Sequence, residues 1–147
     1  MNYYSKIKNE LINNEITRKV KNYSINRSDL NTYYNVGKML SESGNHYGDN
    51  IIGYYANKLK KDLNKKYNER TLRRYRQFYN FATNLKWSAI PTILSWSHIT
   101  ELMVLSDRDE INYYINIVSS RNISYRKLSE LIKDNEYGRI DDITKKN

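Results

Sequence analysis

KLKKDLNKKYNERTLRRYRQFYN, residues 58–80, decides how the fold is read, because two patterns overlap in it. The first is periodic. Ile52, Tyr55, Ala56, Leu59 and Leu63 fall at i, i+3, i+4, i+7 and i+11, the apolar stripe of an amphipathic helix from about 49 to 65. KYNER interrupts the period, Asn68 offers a capping oxygen, and Leu72, Tyr75, Tyr79 and Ala82 resume it along a helix from about 69 to 84. The second pattern is charge. Residues 58–76 hold nine Lys or Arg against Asp62 and Glu69, a net +7 out of the +9 carried by all 147 residues. Residues 1–57 carry +2, 77–97 carry +1 and 98–147 carry −1. The chain is rich in Asn, Lys, Ile and Tyr together, as an AT-biased genome can make it, so placement of charge weighs more than abundance. A local excess of this kind predicts a surface that faces a polyanion.

Outward from this stretch the pattern stays helical. Tyr4, Ile7, Leu11, Ile16 and Val20 mark a first helix, roughly 3 to 22. Ser28 and Asp29 read as N-cap oxygens of a second helix, with Leu30, Tyr33, Tyr34, Val36, Gly37 and Leu40 on its apolar side and Gly44 as its left-handed stop. Gly37 inside that helix costs about 1 kcal/mol against Ala, which a close helix contact would explain. Beyond Pro91, segments 97–105, 107–120 and 124–137 each open on a capping residue, and the last is read as ending at Gly138. The expected fold is all-α, with room for a small β wing around 84–96. The expected organisation is one helical domain over 1–140 with a flexible tail at 141–147.

Composition excludes several classes. There is no cysteine, hence no disulfide frame and no thiolate metal site, which fits a cytoplasmic protein. No run of 18 apolar residues occurs, so no membrane partner is expected. Gly44, Gly48 and Gly53 lack the GK[ST] ending of a phosphate loop. His46 and His98 stand far apart, and His46 reads as a loop residue while His98 reads as packing against or capping a helix start. The acids of DRDE, Asp107, Asp109 and Glu110, complement a helix N-terminus. No Asp or Glu is followed two places later by Lys, so a metal-dependent (D/E)xK nuclease pair is missing. The reading is of a protein with no catalytic residues, no metal and no cofactor.

The 58–80 segment instead reads as a helix-turn-helix, with its second helix presented to duplex DNA. Arg70, Arg73, Arg74, Gln77, Asn80 and Asn84 lie opposite the apolar stripe, and Arg76 belongs to the same basic helix. Guanidinium and amide groups suit base edges and phosphate. Lys58, Lys61, Lys65 and Lys66 would hold the backbone from the preceding helix and turn. On this reading, reversing Arg73 and Arg74 removes binding and leaves the fold intact. Tyr67 and Phe81 read chiefly as core or rim residues, with stacking on an unpaired base as the second use. The aromatic pairs 33/34, 54/55 and 113/114 read as one buried and one rim residue each, and rim tyrosines could also make a homodimer contact.

The series NTYYNVGKMLSE, HYGDNIIGYYANKLKKDL, RTLRRYRQFY, LSWSHITELM, EINYYI and SYRKLSELIKDNEYGRI resembles, in order and spacing, the N-terminal domain of the YhcG-type proteins of the PD-(D/E)xK nuclease superfamily. The likeness covers roughly residues 28–140 and is most specific at SWSH followed by EL and at the NEYGRI ending. It implies a helical DNA-binding module, with binding on Arg70, Arg73, Arg74 and Arg76; nuclease activity does not carry over. A protein partner or nuclease subunit would then supply chemistry. The alternative is a small phage or mobile-element protein that binds a protein partner and inhibits a nucleic-acid-handling defence complex.

Overall fold

The computed structural model describes residues 2–20, 25–85 and 93–140. These form seven α-helices and one 3-10 turn, with no strand among the described residues: α1 Tyr3–Val20, α2 Ile25–Tyr47, α3 Ile51–Asp62, α4 Glu69–Leu85, α5 Trp96–Leu102, α6 Arg108–Arg121, α7 Tyr125–Lys133, and the 3-10 turn Tyr137–Arg139. Residues 86–92, most of the expected wing, and the expected tail at 141–147 lie outside the described residues. The chain divides into two compact units, one running to Asn84 and one starting at Leu85.

The first unit is α1 to α4, packed around Ile7 and Leu11 of α1, Leu30, Val36 and Leu40 of α2, Ile52, Tyr55, Ala56 and Leu59 of α3, and Leu72, Tyr75, Phe78 and Ala82 of α4. Each helix buries one apolar stripe, as its spacing requires. The α3 stripe matches the sequence reading up to Leu59, while Leu63 falls in the turn after the helix. On α4 the sequence reading missed Phe78, which has no exposed surface, and gave its place to Tyr79, which is only half-buried.

Ser28 and Asp29 do not cap α2. The helix begins at Ile25, so both sit within it and turn toward α1, where the Asn14 amide donates to Asp29 (3.0 Å) and the Ser28 hydroxyl donates to Asn14 (2.9 Å). Buried polar groups on two apposed helices satisfy each other here, leaving none unpaired. Gly44 does not end α2 either. The helix runs on to Tyr47, and Gly48 takes the left-handed conformation (φ 90°). Gly37 does mark a close crossing: a Cβ there would stand 2.1 Å from the Tyr75 carbonyl oxygen of α4, a contact no side chain can occupy. Above it the Tyr33 and Tyr75 rings stack with centroids 4.3 Å apart.

The second unit packs Leu94, Ile99, Leu102, Ile111, Tyr114, Val118 and Leu128 together. Its helices are capped as the sequence suggests, with two shifts. Ser95, rather than Ser97, caps α5: its backbone N–H donates to His98 Nδ1 (3.1 Å) while its hydroxyl accepts from the His98 N–H. His98 Nε2 then faces the Ile123 carbonyl at 2.9 Å and donates to it, so the imidazole is a buried capping and bridging group. Asp107 and Ser124 cap α6 and α7, with Asp109 and Glu110 in the first turn of α6. Helix α7 stops at Lys133, well before Gly138, because Asn135 takes the left-handed conformation (φ 53°).

Candidate functional site

The Leu63–Asn68 connector is built by local hydrogen bonds. Leu63 and Asn64 N–H both donate to the Leu59 carbonyl, closing α3, and the Asn64 side chain accepts from Lys66 N–H (2.9 Å). Asn68 accepts from Thr71 N–H (3.0 Å) and so caps α4 as expected. Tyr67 anchors the connector. Its ring is buried and its hydroxyl donates to Glu15 of α1 (2.6 Å); burial, and then that carboxylate, push the phenol well above its ordinary range. Tyr67 is thus a core residue with no free face for a base, and Phe81 is half-buried against Phe78.

The expected ridge of cations is divided. Arg73 and Arg76 do not point freely into water: both grip Asp49 in the α2–α3 turn, at 2.8 and 2.5 Å, and Arg73 also holds Glu69 at 2.9 Å. Two guanidinium groups and two carboxylates form a cluster with no net formal charge. The hydrogen bonds from Arg76 and then Arg73 hold the Asp49 carboxyl below the usual carboxylate range, as expected for a carboxylate that accepts from two cations. Reversing Arg73 therefore also breaks contacts of the fold. Lys66 approaches Glu15 (3.4 Å), and Lys58 lies over the rings of Tyr4 (4.4 Å) and Tyr54 (5.4 Å).

The remaining cations have no carboxylate partner among the described residues. Lys61, Lys65 and Arg70 are exposed, Arg74 is half-buried, and Lys60, outside the expected set, is exposed beside Lys61. Gln77 and Asn80 are exposed on the same helix as Arg70 and Arg74. The feature that sequence reasoning missed is Asp49. It lies 24 residues before Arg73, with no helical spacing to connect them; an acid alone in the turn between two helices was the one available hint.

Together these features define an all-α protein with a locally concentrated, partly self-neutralised basic surface on α3, its connector and α4. The chain belongs to the family described as the DUF1016 N-terminal domain, whose model matches residues 7–139, in agreement with the resemblance to the YhcG-type N-terminal domain. No curated protein and no solved structure matches the chain. No described helix is long and apolar enough to cross a membrane.

Proposed function

We propose that this domain binds duplex DNA through α3, the connector and α4. The observation that carries the reading is that Lys60, Lys61, Lys65, Arg70 and Arg74, within one 15-residue stretch, present cationic heads with no acidic partner among the described residues, while neighbouring Arg73 and Arg76 are held by Asp49. A solvated ammonium or guanidinium that no carboxylate neutralises is available to phosphate. On this reading the lysines of α3 and the connector bracket the phosphate backbone, and α4 offers the base-reading groups: Arg70, Arg74, Gln77 and Asn80. Arg73 and Arg76 act from behind. They fix the α2–α3 turn against α4 and set the angle at which the open cations are presented.

Fluorescence anisotropy of a labelled blunt duplex of about 20 base pairs, titrated with protein at several salt concentrations, tests this. A binder that neutralises three to five phosphates loses affinity linearly in log[salt] with a slope of about −3 to −4.5, since each contact contributes about −0.9. Absence of binding at low salt overturns the proposal, as does affinity indifferent to salt.

A further inference from the structure

The described surface holds one more built feature. At the start of α1, the end of α2 and the first turns of α3, an open cleft of about 540 Å³ is lined by Tyr3, Tyr4, Tyr47, Ile51, Tyr54 and Lys58 among others, with no carboxylate in its lining. Tyr47 and Tyr54 are half exposed, at 54% and 50%, although most large apolar side chains of the unit are buried. The Tyr3 and Tyr47 rings meet edge to face with centroids 6.4 Å apart, which fixes one wall. The other wall is anchored from below: Tyr55 is buried and shares a 2.6 Å hydrogen bond with Ser43, and the Tyr4 hydroxyl donates to Asp62. Tyr54 rests beside that buried Tyr55, with ring centroids 6.1 Å apart, and rings placed in this way lose little freedom when a further ring stacks on them.

We infer that this cleft captures an unpaired nucleotide of the bound nucleic acid, with the base against Tyr47 and Tyr54 and the adjoining phosphate on Lys58. The inference rests on the DNA-binding reading above and extends it to strand ends, flaps and gaps. Three observations select the occupant. The lining combines π-faces with one cation, and a nucleotide presents both a π-face and an anion. The cation of the cleft is supplied by the protein itself, because Lys58 lies beside the rings of Tyr4 and Tyr54, so the complementary ligand is an anion and not a second cation. Finally, Tyr54, Lys58 and Lys61 fall at i, i+4 and i+7 on one face of α3, a run of about 10 Å along the helix axis, with Lys65 following in the connector. The aromatic cleft therefore opens onto the lysine stripe that would carry the backbone. Stacking, the second use that the sequence allows Tyr67 and Phe81, falls on this proposal to side chains that are open to solvent.

The test compares three labelled probes: a blunt duplex, the same duplex with a six-nucleotide thymidine overhang, and oligothymidylate (dT)6 alone. Each is titrated with the native protein, Tyr47→Ala/Tyr54→Ala and Tyr47→Phe/Tyr54→Phe. The cleft account expects the overhang to tighten binding roughly tenfold over blunt duplex, in the range of one or two base stacks. It expects the Ala pair to abolish that gain without altering blunt-duplex affinity, and the Phe pair to retain it. If duplex binds but the overhang adds nothing, or the gain survives in the Ala pair, the cleft inference fails and the duplex reading stands. If only (dT)6 binds and does so through Tyr47 and Tyr54, the cleft stands and the duplex reading fails. If no probe binds, both fail.

Discussion

Two sets of cations within a dozen or so residues of one another meet different fates. Arg73 and Arg76 are gathered onto Asp49, with Glu69 completing the cluster, whereas Lys60, Lys61, Lys65 and Arg70 stay in water with no acid within reach among the described residues. Each of these side chains counts the same toward the +7 of the segment. Only one remains available to an external anion. The difference teaches that a charge run measures potential locally along the chain, while the available charge depends on which distant carboxylates the fold brings to it.

The largest effects should come from removing the platform beneath both sets. Gly37→Ala drives a methyl into the Tyr75 carbonyl of α4, and Leu72→Ala opens a cavity under the same helix. We expect Leu72→Ala to cost about 2–5 kcal/mol in denaturant unfolding, and Gly37→Ala to cost at least the ~1–3 kcal/mol of overpacking. Near-native unfolding of either would show that α4 is not seated on α2 as described.

A smaller and more selective effect is expected on the open set. Lys61→Glu with Lys65→Glu and Arg70→Glu should weaken duplex binding by roughly a hundredfold or more at low salt, since three phosphate contacts turn repulsive. The melting temperature should move by no more than a degree or two, because these side chains have no ion-pair partners to lose among the described residues. A collapse of the circular dichroism signal would place them in the fold instead.

The clamp should respond in the opposite sense. Asp49→Asn frees Arg76 and leaves Arg73 held by Glu69 alone, so duplex affinity should rise modestly while thermal stability falls. The sign of its pH dependence follows from the lowered Asp49 pKa. The contribution is fully present above the ordinary carboxylate pKa and is lost as pH falls through the lower folded-state value. The melting temperatures of native protein and Asp49→Asn should thus differ at neutral pH and converge at about pH 3 or below. A gap that persists unchanged into acid would remove the ion pairs from the explanation.

Much of the fold was legible because it depends on periodicity and capping, which are local. The α3 stripe, Asn68 as cap of α4, Asp107 and Ser124 as caps, and the close approach at Gly37 all follow from side-chain spacing or from a glycine where none is needed for a turn. What the sequence misplaced were residues whose partners come from elsewhere in the chain. Ser28 and Asp29 look like caps, yet Asn14 claims them from the facing helix. Gly44 looks like a stop, yet Gly48 four residues later carries the left-handed turn. Of the three tyrosine pairs, 54/55 and 113/114 divide into rim and core, whereas Tyr33 and Tyr34 are both half-buried because each meets a tyrosine of α4. In the candidate site the positions of the exposed cations were legible from the helical wheel, but their pairing was not. Asp49 joins them only through the α2–α3 turn.

The claim that matters most is that the open cations, and not the clamped ones, carry binding. It is tested most directly by the slope of log affinity for duplex against log[salt] in the native protein and two variants. Lys61→Gln/Lys65→Gln/Arg70→Gln should flatten the slope by about 2.7, the share of three lost phosphate contacts. Asp49→Asn/Glu69→Gln/Arg73→Gln/Arg76→Gln removes the whole cluster without changing net charge and should leave the slope as it is. A slope unmoved by the triple change but flattened by the quadruple one would contradict the account.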